Sequence, residues 1–412
     1  MKWPSEIRMK LQRILATLLF GTLAATANAQ YVHTQGKNIV DGQGHTLQLH
    51  GINLGNWMVT EGYMWKFEGG PQSTREIEEF VAEMLGPQHA AAFWKNYRET
   101  YITREDIHQI KVAGFDSVRV PIHWKLFQTP DSEGFQLLDR VIAWCHAEGL
   151  LVVIDLHAAY GGQTGANIDD SNGWPWLFTD ESAQLQTVKL WTQIAHRYRK
   201  ETAILGYDLL NEPLPHYPQM RQFDDKLEPL YKRLTAAIRS EDKVHAIILG
   251  GNKWDSSFDI FGKPFDSNLI YQFHTYWTTP EQPSIQRFVD FREKYNVPIW
   301  LGESGENKDE WVATFARLLE KNNIGWAFWP YKKMDATSSP VSFSQPDHWA
   351  EIAAYAKSDR NLGHIEDRLK KRPEQDVINA AFASLLVNIT FEKEHRNMGY
   401  IHALLPASTL QP

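Results

Sequence analysis

The chain has 412 residues, with 42 Lys and Arg against 50 Asp and Glu, and a formal net charge of −8. Proteins that bind nucleic acids need a basic surface to displace counterions from phosphates, so this acidity argues against nucleic acid as a partner. The one cysteine, Cys145, excludes an internal disulfide framework and any metal site built from several cysteines.

The N-terminal segment 9–29 has the three parts of a secretory signal. Lys10 and Arg13 form a positive end, a mostly apolar run follows, and an Ala-x-Ala cleavage site ends at Ala29. The apolar run is about 12 residues long, well short of the roughly 20 that a membrane-spanning helix needs. We therefore expect a signal peptide over 1–29, cleavage after Ala29, and a secreted or periplasmic product that leaves the membrane.

Apolar runs of strand length recur along the rest of the chain, and amphipathic segments of helical period separate them. The eight predicted strands are Thr46–Asn53, Ser117–Pro121, Leu151–His157, Ile204–Asn211, Ala246–Gly250, Leu269–His274, Ile299–Glu303 and Gly325–Trp329. The helical segments between them include Thr103–Ala113, Leu137–Glu148, Ala183–Lys200, Leu227–Ser240, Ile285–Tyr295 and Glu310–Asn322. Regular alternation indicates parallel strands with crossover helices. Eight such units predict a single α/β domain, a (β/α)8 barrel, and the glycine-rich phosphate loops of open sheets are missing.

Short segments flank the predicted barrel. Tyr31–Val40 and Thr46–Leu49 lie on either side of a turn sequence at 41–44, which predicts a β-hairpin that closes one end of the barrel. The barrel domain is expected to span 30–390. The tail 391–412 has no clear period, so we expect it to be loosely attached.

The carboxyl ends of the predicted strands are unusually polar, and in a (β/α)8 enzyme the chemistry takes place at these ends. The polar and aromatic residues there are Arg119, His157, Asn211, Glu212, His274, Tyr276, Glu303 and Trp329. One arginine or histidine on a barrel strand is usually structural. A whole set converging on one face would be costly to bury unless its members contact each other or a ligand.

Two glutamates in this set point to a reaction. Glu212 and Glu303 end strands on opposite sides of the barrel mouth and should face each other. Hydrolysis of a glycosidic bond needs two carboxyl groups in different protonation states, one to protonate the leaving oxygen and one to attack or to activate water. Arg119 and Tyr276 would hold one glutamate ionised, which raises the pKa of the other. Trp329 offers a face for a sugar ring, and no metal or cofactor is needed.

Two other classes of protein stay open at this point. A metal-dependent hydrolase would use His123, His157 and His274, but it predicts a His-x-His pair on the first strand, where the sequence has Asn53. The zinc motif H-E-x-x-H does not occur either. A non-catalytic carbohydrate-binding protein would need the aromatic residues but not two opposed glutamates.

The ordered set of strand-end residues resembles glycoside hydrolase family 5, the cellulase family, over about residues 31–357. The residues that carry the resemblance are Arg119, His157, Asn211-Glu212-Pro213, His274-x-Tyr276, Glu303 and Trp329. The resemblance implies a retaining mechanism in which Glu303 is the nucleophile and Glu212 is the acid that later becomes the base. The supporting roles it implies are Arg119 and Tyr276 orienting Glu303, His274 assisting Glu212, Asn211 binding the 2-hydroxyl, His157 touching the sugar and Trp329 flooring its subsite.

Within that family, the chain is most similar to the exo-β-1,3-glucanase and β-glucosidase branch. The segments 51–57 and 157–165 carry this likeness, although Tyr160 replaces a loop proline and Ser304 follows Glu303 where a tryptophan is expected. The resemblance implies an exo-acting enzyme with β-glucan or gluco-oligosaccharide as its substrate. An endo-β-1,4-glucanase is the alternative, and the oligomeric state stays open.

Further residues near the strand ends are candidates for sugar contacts beyond the cleaved bond. They are Trp57, Gln163, Asp170, Trp174, Trp176 and Lys332, together with Trp124, Asp169, Trp254 and Trp277. The loop 160–178 is rich in Gly, Asn and Asp and contains two of these tryptophans. Loops of this length often form binding walls, and such a wall would block one end of a groove and favour exo attack.

Overall fold

The computed structural model describes residues 31–166, 168–358 and 364–411. The predicted signal peptide, 1–29, lies outside these residues. Within them, every helix is too short or too polar to cross a lipid bilayer.

Eight parallel strands close into a barrel, which confirms the predicted fold. In chain order they are β1 (His50–Asn53), β2 (Ser117–His123), β3 (Leu151–Ala158), β4 (Ile204–Asp208), β5 (Ala246–Gly250), β6 (Leu269–His274), β7 (Ile299–Glu303) and β8 (Gly325–Phe328). Each strand pairs with its neighbour in sequence, and β8 closes the barrel by pairing with β1, where Ala327 lies opposite Gly51.

The strands β1 and β4 are shorter than predicted, for local reasons. The segment before β1 pairs with the N-terminal hairpin instead, since the N–H of Leu47 donates to the carbonyl of Ile39. After β4, the chain turns within four residues so that Glu212 adopts a left-handed backbone with φ 43°. No strand residue has a positive φ, so the strand ends before Glu212.

Helices cover the outside of the barrel. Those between successive strands are Arg104–Ala113, Glu133–Glu148, Glu181–Tyr198, Asp224–Glu241, Gln282–Tyr295 and Asp309–Lys321. The sequence analysis missed two helices between β1 and β2, Thr74–Leu85 and Pro87–Tyr101. The first has a capping box at Ser73 and Glu76, a start signal that the sequence does contain.

The N-terminal hairpin consists of His33–Gln35 and Asn38–Val40, so its turn lies at Gly36 and not at 41–44 as predicted. The predicted turn exists as a second one, which returns Thr46 to Val40. Val32 and Ile39 join a buried cluster inside the amino end of the barrel, with Val153, Leu205, Ile248, Ile270 and Trp300. The hairpin therefore closes the end of the barrel opposite to the polar strand ends.

The C-terminal tail is firmly attached, so the expectation of a loose tail is wrong. Its strand Glu394–Arg396 pairs with Val341–Phe343, which pairs in turn with Lys332–Met334 just after β8. The remaining helices are Trp349–Ala356, Ile365–Lys371, Gln375–Asn388 and Met398–Leu404. The last of these buries Tyr400, Ile401 and Leu404. Two short apolar groups, Tyr400-Ile401 and Ala403-Leu404-Leu405, anchor the tail, and they are too short to show a period in the sequence.

Candidate active site

The carboxyl ends of the strands open into one cleft of about 800 Å³. Seven residues that the sequence predicts for the site line it: His157, Asn211, Glu212, His274, Tyr276, Glu303 and Trp329. Arg119 is fully buried directly beneath Glu303. The structure thus gathers the whole strand-end set at one place.

The carboxylate of Glu303, at the end of β7, is held by two donors. Arg119 Nη1 donates to its Oε1 at 2.6 Å, and the Tyr276 hydroxyl donates to its Oε2 at 3.1 Å. Burial raises the pKa of Glu303, and the guanidinium of Arg119 opposes that rise. Both oxygens are therefore fixed by groups that favour the ionised form.

The guanidinium of Arg119 also ties together the ends of β1, β3 and β4. It donates to Asp208 at 2.8 Å, to Asn211 Oδ1 at 2.8 Å and to Asn53 Oδ1 at 3.0 Å, and it lies 3.1 Å from Asp155. Burial raises the pKa of Asp155 and of Asp208 to about 7, although Arg119 lowers both. The sequence predicts Arg119 but not these two acidic partners, which sit within strands.

Glu212 lies across the cleft from Glu303 and has a different environment. Its Oε1 is 2.9 Å from His274 Nδ1, which is in turn 3.7 Å from Glu303 Oε2. Burial raises the pKa of Glu212 well above its usual range, and the negative charge of Glu303 raises it further. These surroundings therefore favour a proton on Glu212 over one on Glu303.

The separation of the two carboxyl groups bears on what they can do. One oxygen of Glu212, one oxygen of Glu303 and one nitrogen of His274 all lie within 4.8 Å of one another. Glycosidases that retain the anomeric configuration have carboxyl groups about 5–5.5 Å apart, and inverting ones about 6.5–9.5 Å apart. The observed geometry fits attack by one carboxylate and proton transfer by the other.

The three ligand atoms are close enough to reach one cation, but the surroundings disfavour a metal site. Both oxygens of Glu303 already accept hydrogen bonds, and the cation of Arg119 lies beside it. The histidines of the metal-hydrolase alternative are engaged elsewhere: His123 lies 3.1 Å from Asp170, and His157 lies 2.8 Å from Asp155. We therefore do not identify any of these residues as metal ligands.

A flat surface lies beside the carboxyl pair. The rings of His157 and Trp329 are nearly parallel, with centroids 5.5 Å apart, and the indole N–H of Trp329 donates to the Tyr63 hydroxyl at 2.8 Å. A Cβ on Gly55 would lie 2.5 Å from the indole, so only glycine at position 55 lets Trp329 lie there. The face of Trp329 that lines the cleft suits a sugar ring.

The cleft contains acidic residues that the sequence analysis did not select. Glu61 is 9% exposed, and burial together with the charges of Glu303 and Glu306 raises its pKa to about 8. Glu306 pairs with Lys333 at 2.6 Å, and Asp255 lies beneath Glu212. All of these residues follow the ends of strands, where the backbone is irregular. Which side chains face the cleft is therefore not recorded as a periodic pattern of polar and apolar residues.

Two residues predicted to contact sugar are buried behind the cleft, within the described part of the chain. Lys332 is fully buried and pairs with Asp106 at 3.0 Å and with Glu394. The amide of Gln163 donates to the main-chain oxygens of His157 and Asn211, at 2.8 and 3.0 Å. Gln163 thus joins the ends of β3 and β4, and Lys332 joins the C-terminal strand to the barrel.

Four more predicted contacts also lie outside the lining of the described cleft. Asp170 pairs with His123 and with Lys125, so it anchors the loop 160–178. The three predicted tryptophans in this group also lie away from the cleft lining. The indole N–H of Trp57 donates to the carbonyl of Arg98. Trp174 packs on Phe223, and Trp176 is 48% exposed. The loop itself supplies Ala166 and Ile168 to the cleft wall.

Two other predicted candidates, Trp254 and Trp277, do line the cleft. Both have left-handed backbones, with φ 61° and 52°, and Trp277 is 75% exposed. The indole N–H of Trp277 donates to the carbonyl of Glu306 at 3.3 Å, which holds the exposed ring in place. The two tryptophans follow β5 and β6, on the side of the cleft where Glu212 and His274 lie.

The barrel and its pair of carboxyl groups define a class of protein, the glycoside hydrolases. The model of the cellulase family, glycosyl hydrolase family 5, matches residues 76–335. The chain belongs to this family.

Proteins with similar sequences are named for several different activities. A "Beta-xylosidase" of Phanerodontia chrysosporium is 28% identical, over 84% of this chain and 83% of the relative. "Endoglucanase C" of Acetivibrio thermocellus is 27% identical over 59% and 88%, and a "Glucan 1,3-beta-glucosidase" of Lachancea kluyveri is 26% identical over 61% and 63%. The relatives thus include enzymes named for exo and for endo action.

Proposed function

We propose that the protein is a retaining β-glycosidase that hydrolyses β-glucosidic bonds of glucans or gluco-oligosaccharides. The observation that carries the proposal is the pair Glu212 and Glu303, whose oxygens approach within 4.8 Å in unequal surroundings. Arg119 and Tyr276 hold Glu303 as a carboxylate, and burial beside that charge keeps Glu212 protonated.

The reaction follows in two displacements. In the first, an oxygen of Glu303 forms a bond to the anomeric carbon while the glycosidic C–O bond breaks, and Glu212 gives its proton to the leaving oxygen. In the second, water attacks the anomeric carbon and gives a proton to Glu212 while the bond to Glu303 breaks. The two inversions leave the anomeric configuration unchanged.

Neighbouring groups bind the sugar that is cleaved. Trp329 forms the floor, and Asn211, held by Arg119, presents its amide beside His157 to the sugar hydroxyls. Because the acid must face the leaving group, Trp254 and Trp277 lie on the leaving-group side. Tyr63, which accepts the indole N–H of Trp329, then lies towards the other end of the sugar.

The proposal includes exo action on β-glucans. We infer that loops close the end of the cleft beside Trp329, because contacts join them there: Trp329 donates to Tyr63, and Lys333 pairs with Glu306. A closed end would admit a chain terminus. Product analysis on laminarin, mixed-linkage glucan, carboxymethyl cellulose and aryl β-glucosides tests this: glucose alone indicates exo action, and a ladder of oligosaccharides would indicate an endoglucanase.

Replacement of the two glutamates tests the mechanism. Glu303→Gln should remove turnover of an aryl β-glucoside while the fold stays intact. Glu212→Ala should lose about 10²- to 10⁴-fold on a substrate with a poor leaving group, and azide should restore turnover of an activated one by attacking the glycosyl-enzyme. Retained activity in Glu303→Gln contradicts the nucleophile, and full activity of Glu212→Ala on the poor leaving group contradicts the acid.

We also propose that the protein is exported through its N-terminal signal. The charged end, apolar run and Ala-x-Ala site before Gln30 support this. N-terminal sequencing of the mature protein from cell-free medium or periplasm should begin at Gln30, and a product that retains residues 1–29 inside the cell contradicts export.

A further inference from the structure

A fully buried aspartate lies beneath the pair formed by Glu212 and His274. Asp255 Oδ2 accepts the main-chain N–H of Glu212 at 3.0 Å and lies 3.5 Å from His274 Nε2. His274 Nδ1, on the other side of the ring, is 2.9 Å from Glu212 Oε1. Asp255 thus contacts the main chain of Glu212 directly. It also lies beside the His274 ring, and the other side of that ring contacts the Glu212 side chain.

The chain adopts an unusual conformation to bring Asp255 there. Lys253, Trp254 and Asp255 are three consecutive left-handed residues, with φ 56°, 61° and 55°. Such residues are uncommon even singly, and their conformation persists only where the surroundings hold it. A Cβ on Gly250 would lie 2.2 Å from Asp255 Oδ1, so the end of β5 also leaves room for this carboxyl group.

Glu212 itself needs a partner of this kind. Its own backbone is left-handed, with φ 43°, so its N–H points away from the direction it would have in a continuing strand. The carboxylate of Asp255 accepts that N–H and so fixes the residue that carries the acid. Strain held at this one place, in both partners, points to function rather than to general stability.

We propose that Asp255 is the positioning residue of the acid and that it fixes the main chain of Glu212. The proposal rests on the proposed function of Glu212. Asp255 also lies beside the ring of His274, but the Nε2 atom, 3.5 Å away, has no hydrogen-bond partner in the described part of the chain. Asp255 therefore acts through the N–H of Glu212 and does not touch the substrate.

The arrangement has a consequence for titration. Burial raises the pKa of Asp255 well above its usual range, and the charges of Asp208 and Glu212 raise it further. Once Asp255 is ionised, loss of the Glu212 proton leaves two buried carboxylates charged, whereas an uncharged residue at position 255 leaves only one. The charged and titratable groups that face these residues from the surrounding strands, helices and loops are Arg119, Asp155, His157, Asp208, Tyr231, His274, Tyr276 and Glu303, with Glu61 further along the cleft.

The test is the pH profile of kcat/KM for Asp255→Asn, measured on an aryl β-glucoside with a poor leaving group. The alkaline limb should move to lower pH by about one unit or more, because the proton is now lost more easily. Turnover of this substrate should fall by about 10-fold or more, whereas an activated leaving group should be affected much less. Should Asp255→Asn fold poorly, the smaller Asp255→Ser should move the limb in the same direction.

Asp242→Asn is the matched control. Asp242 and His245 form another buried pair, 2.5 Å apart, just before β5 and hence at the opposite end of the barrel. This variant should lower the melting temperature and leave the alkaline limb in place. An unchanged alkaline limb in Asp255→Asn and Asp255→Ser overturns the inference, and so does an equal loss on both leaving groups. Full activity of Glu212→Ala on the poor leaving group would instead overturn the proposed function beneath it.

Discussion

At the scale of the residue, position decides the chemistry of two otherwise identical side chains. Glu303 meets a guanidinium and a phenol, whereas Glu212 meets an imidazole and the charge of Glu303. Burial raises the pKa of both, and Arg119 opposes the rise at both, but only Glu303 is hydrogen-bonded to Arg119, and the charge of Glu303 adds to the rise at Glu212. The two carboxyl groups therefore differ in how readily they hold a proton, as the proposed roles of nucleophile and acid require.

These shifts predict a bell-shaped dependence of kcat/KM on pH. Activity should fall on the acid side as Glu303 takes up a proton and on the alkaline side as Glu212 loses one. Both limbs should lie above the ordinary glutamate pKa of about 4.3, since burial raises both values. In Glu212→Ala the alkaline limb should disappear, and the same limb in that variant would show that another group carries the proton.

The exposed Trp277 supports a second prediction. Trp277→Ala should raise KM for aryl β-glucosides and disaccharides several-fold and leave methyl β-glucoside unchanged, because only leaving groups with a flat ring can stack on the indole. Trp176→Ala is the control, since Trp176 is also exposed but lies outside the cleft lining. Equal effects of the two substitutions on initial rates would argue against a leaving-group site at Trp277.

At the scale of the element, the sequence best predicts strands that are buried on both faces, because such strands are nearly continuous stretches of apolar residues. β5, β6 and β7 have the predicted bounds for this reason, and their apolar runs are interrupted only by Gln272 and by the polar residues at the strand ends. Residues at the ends of these strands were likewise predictable, since the barrel brings every strand end to one face. Glu61, Asp255 and Glu306 were not, because their positions depend on left-handed turns and tertiary contacts in loops.

Lys332 shows the same limit within an element. It follows β8 closely enough to suggest a sugar contact, yet its strand turns it into the domain, where it ties Asp106 to the C-terminal strand. No alternation of polar and apolar residues records that turn, because strands of three residues are too short to show a period.

Lys332→Met should therefore act on stability. Removal of the cation leaves Asp106 and Glu394 buried without their partner, which should lower the free energy of unfolding by about 3–5 kcal/mol at pH 7. Urea unfolding measures it, with the exposed Lys393→Met as the control. A large rise in KM without a loss of stability would instead restore Lys332 to the substrate site.

At the scale of the whole molecule, the two ends of the barrel are divided between stability and chemistry. The hairpin and an apolar cluster close the amino end, and the polar strand ends open into the cleft at the other. Most of the aromatic residues pack in the core. An example is the cluster of Trp65, Phe67, Tyr97 and Trp349 beside the two helices between β1 and β2. Trp329, Trp254 and Trp277 instead face the cleft. The negative net charge suits an uncharged substrate.

The stereochemistry of the first product tests the central claim, which is double displacement by Glu303 and Glu212. Proton NMR of an early reaction mixture on an aryl β-glucoside resolves the two anomers of glucose before they interconvert. The account predicts that β-glucose forms first and that the α anomer grows only by mutarotation. α-Glucose as the first product would mean a single displacement by water, and it would contradict the assignment of Glu303 as the nucleophile.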